Sequence, residues 1–206
     1  MGIGQQSKHS CWDSLTSKVG GGRQSKRPSL DNLTMTIQAL AAQEDLLHSE
    51  VIKLYHQPQT PEYTEKLSQI FAGYNRVHQD YAVLSETDIE ALKRGLFIQW
   101  YAITELSYLT GIGAIDQHSG EQIMQALKQL IDTELIDDEL TWMLRYYLNW
   151  SFAFESYPTF TLIEPRLPTM DEYCDSLPLI IDREAMKLRG QMGSYWNSLP
   201  QFSENN

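Results

Sequence analysis

The stretch TWMLRYYLNWSFAFESY, residues 141–157, decides the fold class of this chain, because seven of its seventeen residues are aromatic. At 100° per residue, one arc of about 140° collects most of the rings and several other apolar side chains. The members of this arc are Trp142, Ala153, Tyr146, Tyr157, Trp150, Met143, Phe154 and Tyr147. The opposite side is also apolar at Leu144, Leu148 and Phe152. A helix that is apolar nearly all round is buried by its neighbours, so the pattern predicts a core helix rather than the lining of a ligand pocket.

Helix signals recur along the rest of the chain. Thr60 and Pro61 form a helix start, Ser85 with Asp88 resembles a capping box, and Asp137 can cap the aromatic helix, which Pro158 would end. The predicted helices span about residues 33–55, 61–83, 85–109, 119–132, 138–157 and 179–196. The sequence therefore predicts an all-α fold, a single domain of about six helices arranged as a bundle or a short stack of helical pairs.

The third predicted helix matches the fifth in apolar character. Ile89, Leu92, Leu96, Trp100 and Ile103 form its core stripe. Phe97, Tyr101 and Tyr108 flank that stripe, and Glu90 with Arg94 forms an i,i+4 pair. We expect the third and fifth helices to pack together at the centre of the domain, so that Trp150→Ala would cost about 3 to 5 kcal/mol of stability.

Charge and composition separate the N-terminal segment from the rest. Residues 1–34 are rich in Gly, Ser, Lys and Gln and hold five Lys/Arg against two Asp/Glu. The remaining 172 residues hold 11 Lys/Arg against 25 Asp/Glu, a formal net charge of -14. Since the first segment has too few apolar side chains to offset the entropy of ordering, we predict a disordered basic tail over 1–34 and an acidic helical domain over 35–206.

The stretch PTFTLIEPRLPTMDEYCDSLP, residues 158–178, contains four prolines. Proline interrupts helices and strands, so this stretch predicts a long irregular connection before the last helix, wrapped against the body of the domain.

Several classes of function lack support in the sequence. The least polar stretch, residues 95–115, contains too many polar side chains for a membrane span, and we predict no membrane association. Glu44, His48 and His56 have weak spacing for a metal site, so we predict surface histidines and no metal or other cofactor. The net charge of the predicted domain opposes nucleic-acid binding. Cys11 and Cys174 form no CxxC pair and no signal-peptide pattern is present, which favours a cytoplasmic protein.

No catalytic constellation can be assigned, so the leading hypothesis is a non-enzymatic protein that binds another macromolecule, a basic protein in particular, as small acidic inhibitors, immunity proteins or chaperones do. The alternative is an enzyme or small-ligand binder with an apolar, aromatic-lined pocket between the third and fifth helices. A structural subunit of a homo-oligomer is a third interpretation. The candidate ligand or partner residues are Glu105, Arg145, Asn149, Tyr101 and Tyr146. Glu105 is the expected partner of Arg145 in an ion pair.

Overall fold

The computed structural model describes residues 36–167 and 181–199. These residues form nine α-helices: α1 (Ile37–Tyr55), α2 (Pro61–Leu84), α3 (Ile89–Thr104), α4 (Ser107–Thr110), α5 (Gln117–Asp132), α6 (Asp138–Tyr147), α7 (Pro158–Ile163), α8 (Arg183–Met186) and α9 (Gly190–Ser198). Two 3₁₀ segments, Leu148–Ala153 and Glu164–Arg166, follow α6 and α7. The all-α class and the single helical domain are confirmed. The predicted tail over 1–34 lies outside the described residues.

Helices α1 and α2 each begin directly after a threonine cap whose own backbone is extended. The Thr36 hydroxyl accepts a hydrogen bond from the Ala39 amide, and the Thr60 hydroxyl accepts one from the Tyr63 amide. The start of α2 at Pro61 was predicted, whereas α1 begins at Ile37 rather than near residue 33. The two helices pack against each other and bury their apolar faces.

The third predicted helix is shorter than expected and is interrupted. Its cap is Asp88 rather than Ser85, with Asp88 Oδ1 accepting from the Glu90 amide at 2.8 Å. Helix α3 ends at Thr104 because Glu105 is extended (φ −125°, ψ 158°), and α4 then forms a single turn. Gly111 closes α4 with φ +78°, a backbone conformation that glycine adopts without steric cost.

The aromatic stretch is a core element, as predicted, but it is not one straight helix. Asp137 caps α6, and α6 ends at Tyr147. The chain continues as a 3₁₀ segment in which Trp150 has φ −129° and ψ 51°, so the helical geometry is broken at that ring. The predicted apolar arc is buried apart from the half-buried Trp150, which confirms the core assignment, while Phe152 is exposed.

Three further helix boundaries differ from the prediction. Asp116 rather than Ser119 caps α5. Pro158 begins α7 instead of only ending the preceding helix, because proline fits the first helical turn. The last predicted helix is divided into α8 and α9, which residues 187–189 separate, and α9 begins at Gly190, whose φ is +57°. One added break in α3, one in the last helix and the extra helix α7 account for nine helices instead of six. Residues 168–178 of the predicted connection, and the first two residues of the predicted last helix, lie outside the described part of the chain.

Helices α1, α2, α3, α5, α6 and α9 share one apolar core. Helix α5 contacts α2, α3 and α7, and α9 contacts α1, α3 and α8. Among the described residues, no helix is long and apolar enough to cross a membrane.

Candidate functional site

Trp100 lies at the centre of an aromatic cluster where α3 meets α6 and α9. Its ring centroid is 5.0 Å from that of Tyr147, 5.3 Å from that of Tyr195 and 5.6 Å from that of Trp150. The side chain of Trp100 is almost completely buried. Rings therefore fill this part of the α3–α6 interface, and their first role is packing. The packing of the third against the fifth predicted helix is confirmed.

Three of the five predicted site residues lie close together at the edge of this cluster. The hydroxyl oxygens of Tyr146 and Tyr195 are 2.6 Å apart, and the ring of Tyr101 lies 5.3 Å from that of Tyr195. Burial, with a smaller contribution from the Glu105 carboxylate, raises the pKa of Tyr101 to about 12 and also raises the pKa of Tyr146. Glu105, Tyr101 and Tyr146 thus form one neighbourhood, and Tyr195 is the member that sequence reasoning missed.

The other two predicted residues have local positions on α6. The Asn149 amide donates to the carbonyl oxygens of Tyr146 at 2.8 Å and Arg145 at 3.4 Å, so its side chain satisfies the C-terminal end of the helix. Arg145 is half-buried. The ion pairs between described residues do not join Glu105 to Arg145, and the double-mutant test of that coupling stays a prediction.

An exposed apolar edge surrounds α4. Ile103, Leu106 and Tyr108 retain 57%, 53% and 41% of their accessible surface within six residues of chain, and Glu105 is exposed among them. Tyr55 at the end of α1 is 51% exposed and stacks on Tyr108 with ring planes 6° apart. We call these four apolar side chains the α4 edge. The extended residue Glu105 ends α3 just after Ile103, and Leu106 and Tyr108 follow at the short helix α4.

The most perturbed carboxyl group of the described residues lies in the interior, not at this edge. Glu44 is fully buried on α1. One carboxylate oxygen accepts from the Tyr81 hydroxyl at 2.5 Å, and the other accepts from the backbone amide of Gln191 at 3.1 Å. Burial raises the pKa of Glu44 to about 7, although Tyr81 and the nearby Arg94 oppose this shift.

A chain of alternating charges extends from this carboxyl group to the surface. Arg94 donates to the Tyr81 hydroxyl at 3.3 Å and to Glu90 at 2.8 Å. Arg189 pairs with both Glu90 and Glu139, and Lys93 pairs with Glu139 and with Asp137, each at 2.6 Å. The three cations are buried, whereas the carboxylates that they pair with are partly exposed. We call this set the ionic network.

The ionic network connects the C-terminal helices to the body of the domain. Arg189 immediately precedes α9, and the Gln191 amide belongs to the first turn of α9. A Cβ atom at Gly190 would lie 2.9 Å from the carboxyl group of Glu44, so the backbone of α9 approaches this acid closely. Because Glu44 has no exposed surface, the arrangement is suited to holding α9 in place and gives a substrate no direct access.

His78 on α2 is a second buried titratable group. Its Nδ1 lies 3.1 Å from the Ser119 hydroxyl, and burial lowers the pKa of the ring to about 4. His78 is buried because α5 covers this face of α2. Among the described residues, no group of three or more His, Cys, Asp or Glu side chains is arranged to hold a metal ion.

Two cavities differ in their chemistry. A shallow groove of about 700 Å³ follows the polar face of α5, including His118, Glu121 and Asp132. A smaller cavity of about 380 Å³ lies between α2, α3 and the segment that follows α4, with Gln99 and Tyr157 in its wall. We call the smaller one the Gln99 cavity. It involves the third predicted helix and the end of the fifth, but it lies beside the aromatic cluster rather than within it.

Comparison with known proteins gives no relative for this chain, since no family model, no curated protein and no solved structure matches it.

Proposed function

We propose that this chain is a non-enzymatic helical protein that binds a basic protein through the α4 edge. The single observation that carries the proposal is the concentration of four exposed apolar side chains around α4 on a domain of strongly negative composition. Exposed apolar side chains grouped in this way are typical of protein interaction sites.

The α4 edge has a supported backbone beneath it. Gly111 closes α4, and the buried side chain of Tyr74 lies directly against Gly111. The Gln191 side chain donates to the Thr110 carbonyl at 3.0 Å, so α9 supports α4 from within the domain. Rigid presentation lowers the entropy cost of binding, because little of the surface has to be ordered when the partner arrives.

Charge selects the partner in this proposal. The 172 residues after the N-terminal segment have a formal net charge of -14, and Glu105 is exposed within the edge. A negative field speeds association with cationic proteins and disfavours acidic ones. We therefore expect a partner that offers an apolar contact surrounded by Lys or Arg, as the targets of acidic inhibitors, immunity proteins and chaperones do.

The interior supports a non-enzymatic role. Among the described acids and histidines, Glu44 and His78 have the clearest pKa shifts that favour the uncharged form of the side chain. Neither side chain has exposed surface. A general acid or base has to approach its substrate within hydrogen-bond distance. Burial of both groups accounts for their shifts without a catalytic task.

Capture of a partner from native lysate tests the proposal. The parent chain, Leu106→Asp and the control Leu162→Asp are compared at low and high salt; Leu162 is 64% exposed on α7, away from the edge. We expect the parent and the control to retain the same basic protein at low salt, and Leu106→Asp to lose it. High salt should weaken the capture because the screening length shortens. Equal retention by Leu106→Asp, or no retained basic protein, would reject the proposal.

A further inference from the structure

A cavity adjoins the α4 edge where the end of α1, the start of α2 and α4 meet. Its volume is about 290 Å³, and its wall contains the three tyrosines Tyr55, Tyr63 and Tyr108. Tyr55 and Tyr108 also belong to the α4 edge, so a side chain that enters the cavity contacts the edge as well. We call this space the tyrosine cavity.

The tyrosine cavity offers two aligned aromatic rings above an apolar floor. The rings of Tyr55 and Tyr108 are parallel within 6°, with centroids 6.3 Å apart, although the residues belong to α1 and α4. Both side chains are exposed. Tyr63 and Leu67 are half-buried and pack against the core of the domain. A flat cation can therefore lie on a ring face while the aliphatic stem that carries it contacts Tyr63 and Leu67.

The polar side chains of the wall offer hydrogen-bond acceptors. The Gln57 amide nitrogen donates to the Lys53 carbonyl at 3.4 Å, and Gln57 Oε1 remains as an acceptor. The Thr64 hydroxyl donates its only hydrogen to the Thr60 carbonyl at 3.3 Å, so its oxygen also remains as an acceptor. A ligand group that donates several hydrogen bonds and accepts none fits this wall.

Charge favours a cation in the tyrosine cavity, and geometry favours arginine over lysine. The described residues that line the cavity include no Lys or Arg. Glu105 is exposed in the adjoining α4 edge, and the 172 residues after the N-terminal segment have a formal net charge of -14. A guanidinium group is planar, stacks on aromatic rings and only donates hydrogen bonds, whereas an ammonium group is a compact and strongly hydrated charge.

We infer that the tyrosine cavity receives an arginine side chain of the basic protein that binds the α4 edge. The guanidinium group stacks on the exposed rings of Tyr55 and Tyr108 and donates to the acceptors of the wall. The methylene stem of the arginine lies along Tyr63 and Leu67. This assignment rests on the proposed function, because the cavity and the α4 edge share two residues. It names the contact that anchors the partner.

Two short peptides test the arginine site. One has a single arginine between two leucines, and the other has citrulline, which keeps the shape of arginine and removes its charge. Each is titrated into the full chain at high salt, so that the general attraction between an acidic domain and a cation is screened. Binding is followed through the NMR signals of the Leu67 methyl groups, because Leu67 lines the cavity. We expect the arginine peptide to bind about two- to fivefold more tightly, which corresponds to one cation–π contact at an exposed site.

Three variants identify the group that is responsible for the preference. Tyr108→Leu removes a ring and should abolish the preference for the arginine peptide, whereas Tyr108→Phe keeps the ring and should retain it. Phe152→Leu is the matched control, since it removes an exposed ring that does not line the cavity. This control should bind both peptides as the parent does. Thermal unfolding of each variant checks that it is folded.

Several results would overturn the arginine site. They are no binding of either peptide, equal affinity of the parent for the two peptides, a preference that survives Tyr108→Leu, and a preference lost in Tyr108→Phe or Phe152→Leu. The two proposals also fail separately. Equal affinity for the two peptides leaves the capture of a basic protein unaffected, whereas equal capture by Leu106→Asp rejects protein binding at the α4 edge and leaves the peptide preference unaffected.

Discussion

Trp100 and Trp150 have the same side chain but different surroundings. Trp100 is almost fully buried and its ring contacts aromatic residues from α3, α6 and α9. Trp150 lies at the break after α6 and is half-buried. The value of a tryptophan to stability follows the surface that it removes from water and the cavity that its deletion leaves.

Trp100→Ala should therefore lower the free energy of unfolding by about 3 to 5 kcal/mol, the usual cost of deleting a buried large aromatic side chain. Trp150→Ala should cost about 1 to 2 kcal/mol, less than the roughly 3 to 5 kcal/mol that the sequence led us to expect, because part of its ring already contacts solvent. Urea denaturation of the two variants and the parent measures both values. A Trp150→Ala cost equal to that of Trp100→Ala would contradict this ranking.

Gly190 combines a left-handed backbone with a close neighbour. Its φ is +57°, and an added Cβ would lie 2.9 Å from the Glu44 carboxyl group. We expect Gly190→Ala to lower stability by about 2 kcal/mol or more, since the backbone conformation alone costs roughly 1 to 2 kcal/mol for other residues. Ser194→Ala, exposed on the same helix, is the control and should change stability by less than about 0.5 kcal/mol. Equal urea midpoints for the two variants would show that position 190 tolerates a side chain.

At the scale of elements, local chemistry predicted some boundaries and missed others. The cap at Thr60 and the cap at Asp137 each depend on a few neighbouring residues, and both were predicted. The break at Glu105 and the non-helical backbone of Trp150 were missed. Both features follow from packing against elements that are distant in sequence, and helical periodicity carries no information about that packing.

The candidate site was predictable to a similar extent. Aromatic spacing pointed to Tyr101 and Tyr146, and the structure places them in one cluster. The burial of Glu44 had no local signal, because its partner amide at Gln191 is 147 residues away in sequence. The α4 edge was missed because a local signal was misleading. The helical spacing placed Ile103 in the predicted core stripe, but the helix ends one residue later and Ile103 is exposed.

Arg189 tests how the C-terminal helices are attached. It lies between the carboxylates of Glu90 and Glu139, and 11% of its side chain is exposed. Arg189→Met should cost about 1.5 to 3 kcal/mol, because Glu90 and Glu139 lose this cation while Arg94 and Lys93 remain paired with them. The control is Lys187→Met, two residues earlier, where an exposed Lys187–Glu184 pair should contribute less than about 1 kcal/mol. Denaturation midpoints that are equal for both variants would show that the ionic network does not secure α9.

Across the whole molecule, two buried groups give opposite pH dependences. Glu44 has a pKa of about 7 in the folded chain against 4.5 as its ordinary value, so from pH 4.5 to 7 the folded state retains a proton that the unfolded state has lost. Its contribution to stability therefore falls as pH rises through this window. His78 has a pKa of about 4 against 6.5, so the unfolded state holds the extra proton and stability rises with pH from 4 to 6.5. From about pH 4.5 to 6.5 the two slopes cancel.

Replacing either Glu44 or His78 should expose the pH dependence of stability that the other group contributes. The stability of Glu44→Gln relative to the parent should increase by about 3 kcal/mol between pH 4.5 and 7. His78→Gln should show the reverse trend relative to the parent, losing stability as pH rises from 4 to 6.5. Urea unfolding at half-unit pH steps measures both differences, with the exposed Glu65→Gln as a control for loss of a carboxyl charge. A Glu44→Gln difference that does not vary with pH would contradict the raised pKa.

The bond from the Gln191 amide to the Glu44 carboxylate has a consequence for hydrogen–deuterium exchange. Amides in the first turn of a helix have no partner within the helix and usually exchange quickly with solvent. The Gln191 amide instead donates to an acceptor that is fully buried between α1 and α9. Its exchange requires α9 to separate from α1, so deuterium uptake at this single amide reports how often the C-terminal helix detaches while the rest of the core stays folded.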